Sequence, residues 1–177
     1  MAKTYPDIGT FSPGDILTAA TMNEVGTNLD NQRVPPMCKA RLTANETSYT
    51  TATKIPWDAT SAPGFDTDGM WSAGAATKIQ PTTAGIYLIV CQVQVTYSGT
   101  MGQGGPRIVL NGSSVVARQL VFGNQTAEMT QGATAVVAMD GSTDYIEADV
   151  NFTGATSVSI LAGTQTYFSA LWLGQAS

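Results

Sequence analysis

The chain has 177 residues, of which 12% are charged, with a formal net charge of −5 and no histidine. That length suits one domain plus an arm, and the charged fraction is about half the ~25% of ordinary soluble domains, which points to a surface partly hidden in an assembly. Without histidine there is no Ser-His-Asp triad, no Cys-His pair and no His-based metal site, and eight basic residues scattered singly give no stripe for phosphates, so nucleic acid is not an expected partner.

No apolar run approaches the roughly 20 residues needed to cross a bilayer, so no membrane is expected. The opening Met1-Ala2-Lys3-Thr4-Tyr5-Pro6-Asp7 lacks the apolar core of a signal peptide. Synthesis in a cytosol follows as an expectation, with any outside role reached by a route other than ordinary secretion.

Residues 1–37 differ in kind from the rest. Tyr5 to Asp15 is rich in Pro, Gly and Asp and predicts extended or looped chain. Thr18 then caps a short helix from Ala19 to about Asp30, with Met22, Val25 and Leu29 on one stripe. A lone helix of this length is marginal in water and must pack on something. Pro35-Pro36 closes the segment as a stiff linker, so the arm reads as an attachment device.

From Cys38 onward the chain runs as short strands at turn intervals. Expected strands are 39–44, 48–57 and 65–71, then a central strand fed by the turn Pro81-Thr82-Thr83-Ala84-Gly85. A Gly-rich loop is expected from Ser98 to Gly105. Further strands follow at 107–110 and 114–120, joined by the hairpin signal Asn111-Gly112, then at 133–139, 145–150, 158–162 and 166–173. About ten strands with no helical period predict an all-β sandwich or jelly roll over 38–177.

In the central strand both alternating sets are apolar. Ile86, Leu88 and Val90 lie on one side, Tyr87 and Ile89 on the other. A sheet with one wet face would alternate apolar with polar instead. One set meets the domain core; the other meets a second protein surface or other parts of the same chain. Cys91 in this strand reads as a small buried hydrophobe, and a disulfide to Cys38 is disfavoured by cytosolic synthesis.

The motifs resemble the C1q/tumour-necrosis-factor-like jelly roll. The match is carried by Phe65-Asp66 with Gly69-Met70-Trp71, by Ile79-Gln80-Pro81 with Ala84-Gly85-Ile86-Tyr87-Leu88-Ile89, by Leu110-Asn111-Gly112, by Asp140-Gly141 before Asp144-Tyr145-Ile146, and by Tyr167-Phe168-Ser169-Ala170-Leu171. Ser142-Thr143 interrupts the fourth of these. The resemblance implies a compact homotrimer with both termini at its base, Leu88 and Val90 facing the threefold axis, and Tyr167 beside it. The arm, over Phe11 to Asn23, is similar to the opening of many tailed-bacteriophage structural proteins. That implies attachment to other virion proteins, of capsid or tail, through Met22, Val25 and Leu29.

Chemistry beyond binding is sparse. Two isolated cysteines make no four-thiolate site, no phosphate-cradle motif occurs, and no cofactor or metal is expected. Asp66-Thr67-Asp68-Gly69 has the look of a calcium loop, but the twelfth position, Glu in an EF-hand, is Thr77, and a solvated turn is the favoured reading. Glu147 and Asp149 share a strand face and read equally well as a solvated rim. Trp57 and Trp71 flank a loop and are candidates for stacking on a host glycan, against the simpler reading that they fill the core. The expectation is therefore not an enzyme but a trimeric virion-surface protein, a capsid decoration or tail fibre. The alternative is an adhesin whose loops recognise a host glycan or protein.

Overall fold

The computed structural model describes residues 16, 18–58, 60–61, 64–125 and 128–175. Helix α1 (Ala19–Arg33) precedes twelve described strands: β1 (Met37–Arg41), β2 (Glu46–Tyr49), β3 (Phe65–Asp66), β4 (Lys78–Ile79), β5 (Gly85–Ser98), β6 (Met101–Leu110), β7 (Ser114–Arg118), β8 (Val121–Gln125), β9 (Met129–Met139), β10 (Ile146–Thr153), β11 (Ser157–Leu161) and β12 (Tyr167–Gly174). They form two antiparallel sheets facing each other across one core, the expected C1q/TNF-like jelly roll. The seven-stranded sheet runs β2-β11-β5-β12-β1-β3, with β9 on the free side of β5; the five-stranded sheet runs β4-β10-β6-β7, with β8 also on β6.

Strand β5 is the organising element because it pairs along its whole length. β9 lies against it from Gly85 to Val95, while β12 and β11 share its other edge, at Ile86 to Gln92 and Gln94 to Ser98. Its side chains alternate strictly. Tyr87, Ile89, Cys91, Val93, Val95 and Tyr97 are buried between the sheets, and Ile86, Leu88, Val90, Gln92, Gln94 and Thr96 point the other way. Trp57 stacks on Phe168 at 5.7 Å between ring centroids, and Tyr97 meets Phe152 edge-on at 6.2 Å. Cys38 and Cys91 are free and buried, and burial pushes both thiols well above the ordinary thiol range.

Four expectations about the strands need correction. The first is 65–71, which is strand only at Phe65–Asp66 because the Asp66 carboxylate closes a turn over Asp68, Met70 and Trp71. The Gly-rich loop from Ser98 to Gly105 is mostly strand: β5 runs to Ser98 and β6 starts at Met101. Gly105 accommodates close packing there, since a Cβ on it would stand 2.3 Å from the Gln119 carbonyl oxygen. The expected strand 48–57 is instead β2 and an isolated bridge from Lys54 to Asp149, because Ala52 at φ 62° breaks the extended path. Strand β8 was not foreseen at all. The Asn111-Gly112 turn is as expected, with φ of 50° and 77°.

β1 starts at Met37, and the chain ahead of it is tied down: Trp172 N–H donates to the Pro36 carbonyl at 2.9 Å and Thr67 Oγ1 donates to that of Pro35 at 3.1 Å. Entry at Pro36 and exit at Gly174 therefore lie side by side. Helix α1 runs one turn longer than expected and is capped as expected, the Thr21 N–H donating to Thr18 Oγ1 at 3.2 Å. Of the motif Phe11 to Asn23, the residues Phe11 to Asp15 and Leu17 lie outside the described residues.

Candidate interaction face

The outward face of the seven-stranded sheet gathers the predicted interface residues. Leu88 pairs with Val136 of β9 on one side and Leu171 of β12 on the other, and Leu171 pairs with Met37 of β1. Directly opposed residues share a face, so four strands contribute one apolar row. Ile86 opposite Ala138 extends it toward the end where the arm enters; Val90 extends it the other way, opposite Thr134 and Ser169. Val136 is 64% exposed, Leu173 52% and Leu171 37%, while Leu88 and Val90 are half-buried by these neighbours.

The face is graded. Beyond Val90 the outward positions of β5 turn polar, with Gln92 opposite Gly132 and Tyr167, Gln94 opposite Thr130, and Thr96 opposite Ser159. Tyr167 is half-buried here, its ring lying 4.2 Å below the Lys39 ammonium. The apolar half is thus the half beside Pro36, and the polar half lies away from it. Leu88, Val90 and Tyr167 all lie on this outward face. What the sequence reading missed is its breadth, since Met37, Val136, Leu171 and Leu173 join only through pairing of distant strands. The adjacent apolar residues Val136-Val137 and Leu171-Trp172-Leu173 were the available signal, since neighbours along a strand point to opposite faces.

The arm's stripe is found in part. Met22 and Leu29 are 53% and 55% exposed and Val25 is half-buried. Helix α1 therefore carries large apolar side chains into solvent, and it ends at Arg33, four positions before β1 begins.

The tryptophans divide. Trp57 is wholly buried against Phe168, so its ring has no face to offer a ligand, and the stacking role assigned to it is corrected to core packing. Trp71 is half-buried, packs on the core, and donates Nε1–H to the Ala76 carbonyl at 3.3 Å. The two rings do not form a joint platform. Phe122 on β8, 68% exposed, is the aromatic that sequence reasoning overlooked.

The paired carboxylates are structural. Asp66 accepts from the backbone N–H groups of Asp68, Met70 and Trp71 at 3.0–3.2 Å, closing the turn into the Gly69 loop. Asp68 is buried, not solvated as expected, and its Oδ2 accepts from Thr82 Oγ1 at 2.8 Å and Thr83 Oγ1 at 3.1 Å. No group of three or more acidic or thiol ligands forms among the described residues. Glu147 and Asp149 are likewise buried, contrary to the solvated-rim reading: Glu147 accepts from Thr77 Oγ1 at 3.1 Å, and Asp149 is ion-paired. Asp140 uses the interrupting Ser142-Thr143 to close its turn, accepting from the N–H groups of Ser142, Thr143 and Asp144. Those bonds, the one from Asp144 first, hold its carboxyl well below the usual carboxylate range.

The fold has solved counterparts. Murine APRIL is similar at a TM-score of 0.58 and 15% identity, over 78% of this chain and 98% of that one. The globular domain of zebrafish complement 1qA is similar at 0.56 and 8%, over 80% and 98%. Eiger TNF from S. frugiperda is similar at 0.53 and 10%, over 80% and 96%. No protein-family model matches the sequence, and no curated protein does. At these identities the likeness establishes a C1q/TNF-like fold.

Proposed function

We propose that this chain is a trimeric structural protein of a bacteriophage virion surface, a capsid decoration or tail-fibre component held to another virion protein by residues 1–37. The observation that carries the trimer is the graded outward sheet face. A monomer would leave the row Val136, Leu88, Leu171 and Met37 against water, and a contiguous exposed apolar patch of this kind is characteristic of an interaction site. Threefold closure would bury it between copies, as the resemblance to C1q/TNF-like jelly rolls implies. The arm reading is supported by the exposed Met22 and Leu29, by the pinned Pro35-Pro36 junction, and by the phage-like opening of the sequence. Three copies of a stripe contributing about 1.5–3 kcal/mol per buried side chain make a firm multivalent anchor.

The test is a comparison of the full chain with one beginning at Val34, which keeps the pinned prolines. Both should be folded trimers with nearly equal melting temperatures, and only the full chain should bind particles lacking the protein. Equal binding by both would transfer attachment to the jelly roll and remove the virion argument. Receptor binding by the jelly roll retains one supporting observation, the exposed Phe122, which lies on strand β8 and not on a loop.

A further inference from the structure

On the outward face of the five-stranded sheet, one register row is charged from end to end. Lys54 bridges Asp149, Asp149 pairs with Arg107, and Arg107 pairs with Arg118 of β7. Asp149 is buried and serves two cations at once. Arg107 donates Nε–H to Oδ1 at 2.7 Å and Nη2–H to Oδ2 at 2.8 Å, and Lys54 Nζ donates to Oδ2 at 3.0 Å. Arg118 is exposed and makes no ion pair among the described residues. Three cations and one carboxylate leave the row at +2, in a chain whose net charge is −5.

The neighbouring row resolves differently. Lys78 pairs with Glu147, Glu147 with Val109, and Val109 with Val115, so its charges balance and its β6–β7 end is apolar. Two guanidinium groups thus stand in register beside two valines, and Arg107, Val115, Val116, Ala117 and Arg118 line one shallow depression. Like charges directly opposite on paired strands are destabilising. Asp149 offsets Arg107 but is shared with Lys54, so the charge left without an ion-pair partner among the described residues is that of Arg118, and a bound anion would balance it.

We propose that this corner binds an oxyanion, a carboxylate, sulfate or phosphate ester, carried on a sugar ring whose C–H face rests on Val115. Asp149 fixes the plane of the Arg107 guanidinium in advance, and Arg118 keeps its donor fork free to grip the anion in bidentate fashion. The site is independent of the outward face of the other sheet and of the arm.

The experiment titrates the full chain, isotope-labelled and at low salt, with glucuronate, glucose 6-sulfate, glucose 6-phosphate, neutral glucose and inorganic sulfate. At least one charged sugar should give saturable amide shifts on β6 and β7 around Arg107 and Arg118, reversed by salt. Comparison of the three charged sugars identifies the preferred oxyanion. Arg118→Gln should weaken that binding by roughly tenfold or more, with Arg118→Lys recovering part of it. The Gln variant should melt no lower than the parent, because it removes a like-charge pair. No saturable shift with any charged sugar would overturn the assignment. So would neutral glucose or inorganic sulfate binding as tightly as the sugars, or an Arg118→Gln variant that binds unchanged.

Discussion

Replacing Leu88 by Asp should abolish assembly and spare the fold. Leu88 lies at the middle of the outward apolar row, between Val136 and Leu171, and points away from the core. In a monomer the new carboxylate would reach water past the exposed Val136, so the domain should lose little beyond the side-chain contacts of a half-buried leucine. In a trimer closed over this face, the charge would be buried without a partner. Stranding one uncompensated charge costs about 3–5 kcal/mol, and losing the leucine adds about 1.5–3 kcal/mol of apolar burial. Symmetry repeats the loss in every protomer, so the trimer loses on the order of 10 kcal/mol or more. That exceeds what micromolar protein can recover by mass action, where about 1.4 kcal/mol is each tenfold in concentration. Sedimentation velocity should therefore show the trimer mass for the parent and a monomer mass for Leu88→Asp, with matching far-UV circular dichroism. Phe122→Asp is the control, since Phe122 is already in solvent and lies on the other sheet; it should stay trimeric. A trimeric Leu88→Asp, or a monomeric parent, would refute the use of this face.

Asp149→Asn should be strongly destabilising, by about 3 kcal/mol or more, because Lys54 and Arg107 would lose their shared counter-charge in a place where the carboxylate is fully buried; urea unfolding at neutral pH measures it, and a loss under 1 kcal/mol would contradict the ion-pair geometry. Asp140 predicts a pH dependence of definite sign. Its folded pKa is lowered, chiefly by the N–H of Asp144, so its contribution is complete above the ordinary carboxylate value of about 4 and is lost as the pH falls below that toward its lower folded value. The urea midpoints of the parent and Asp140→Asn should differ at pH 7 and converge on acidification below about pH 4; a gap that widens there would be the wrong sign.

Much of the architecture is dictated by local sequence. The alternation from Ile86 to Val90, the Asn111-Gly112 turn and the Thr18 cap act over a few residues, and each has the form expected. Apolarity on both sides of β5 also required a second face to be covered, but left open which set of side chains lay there; the resemblance to C1q/TNF-like jelly rolls, not the alternation, implied Leu88 and Val90. Pairing partners are another matter, because they come from segments far apart in the chain and depend on which register closes the sandwich. Only the tertiary structure sets Met37 and Leu171 in line with Leu88, and only it converts basic residues scattered along the sequence into the row Lys54, Arg107 and Arg118 around Asp149. The same holds for Trp57 and for the glycines of β6. Whether a ring next to a loop is buried, or a Gly-rich run is a strand, depends on what the rest of the chain brings against it: Phe168 in one case and the backbone of Gln119 in the other.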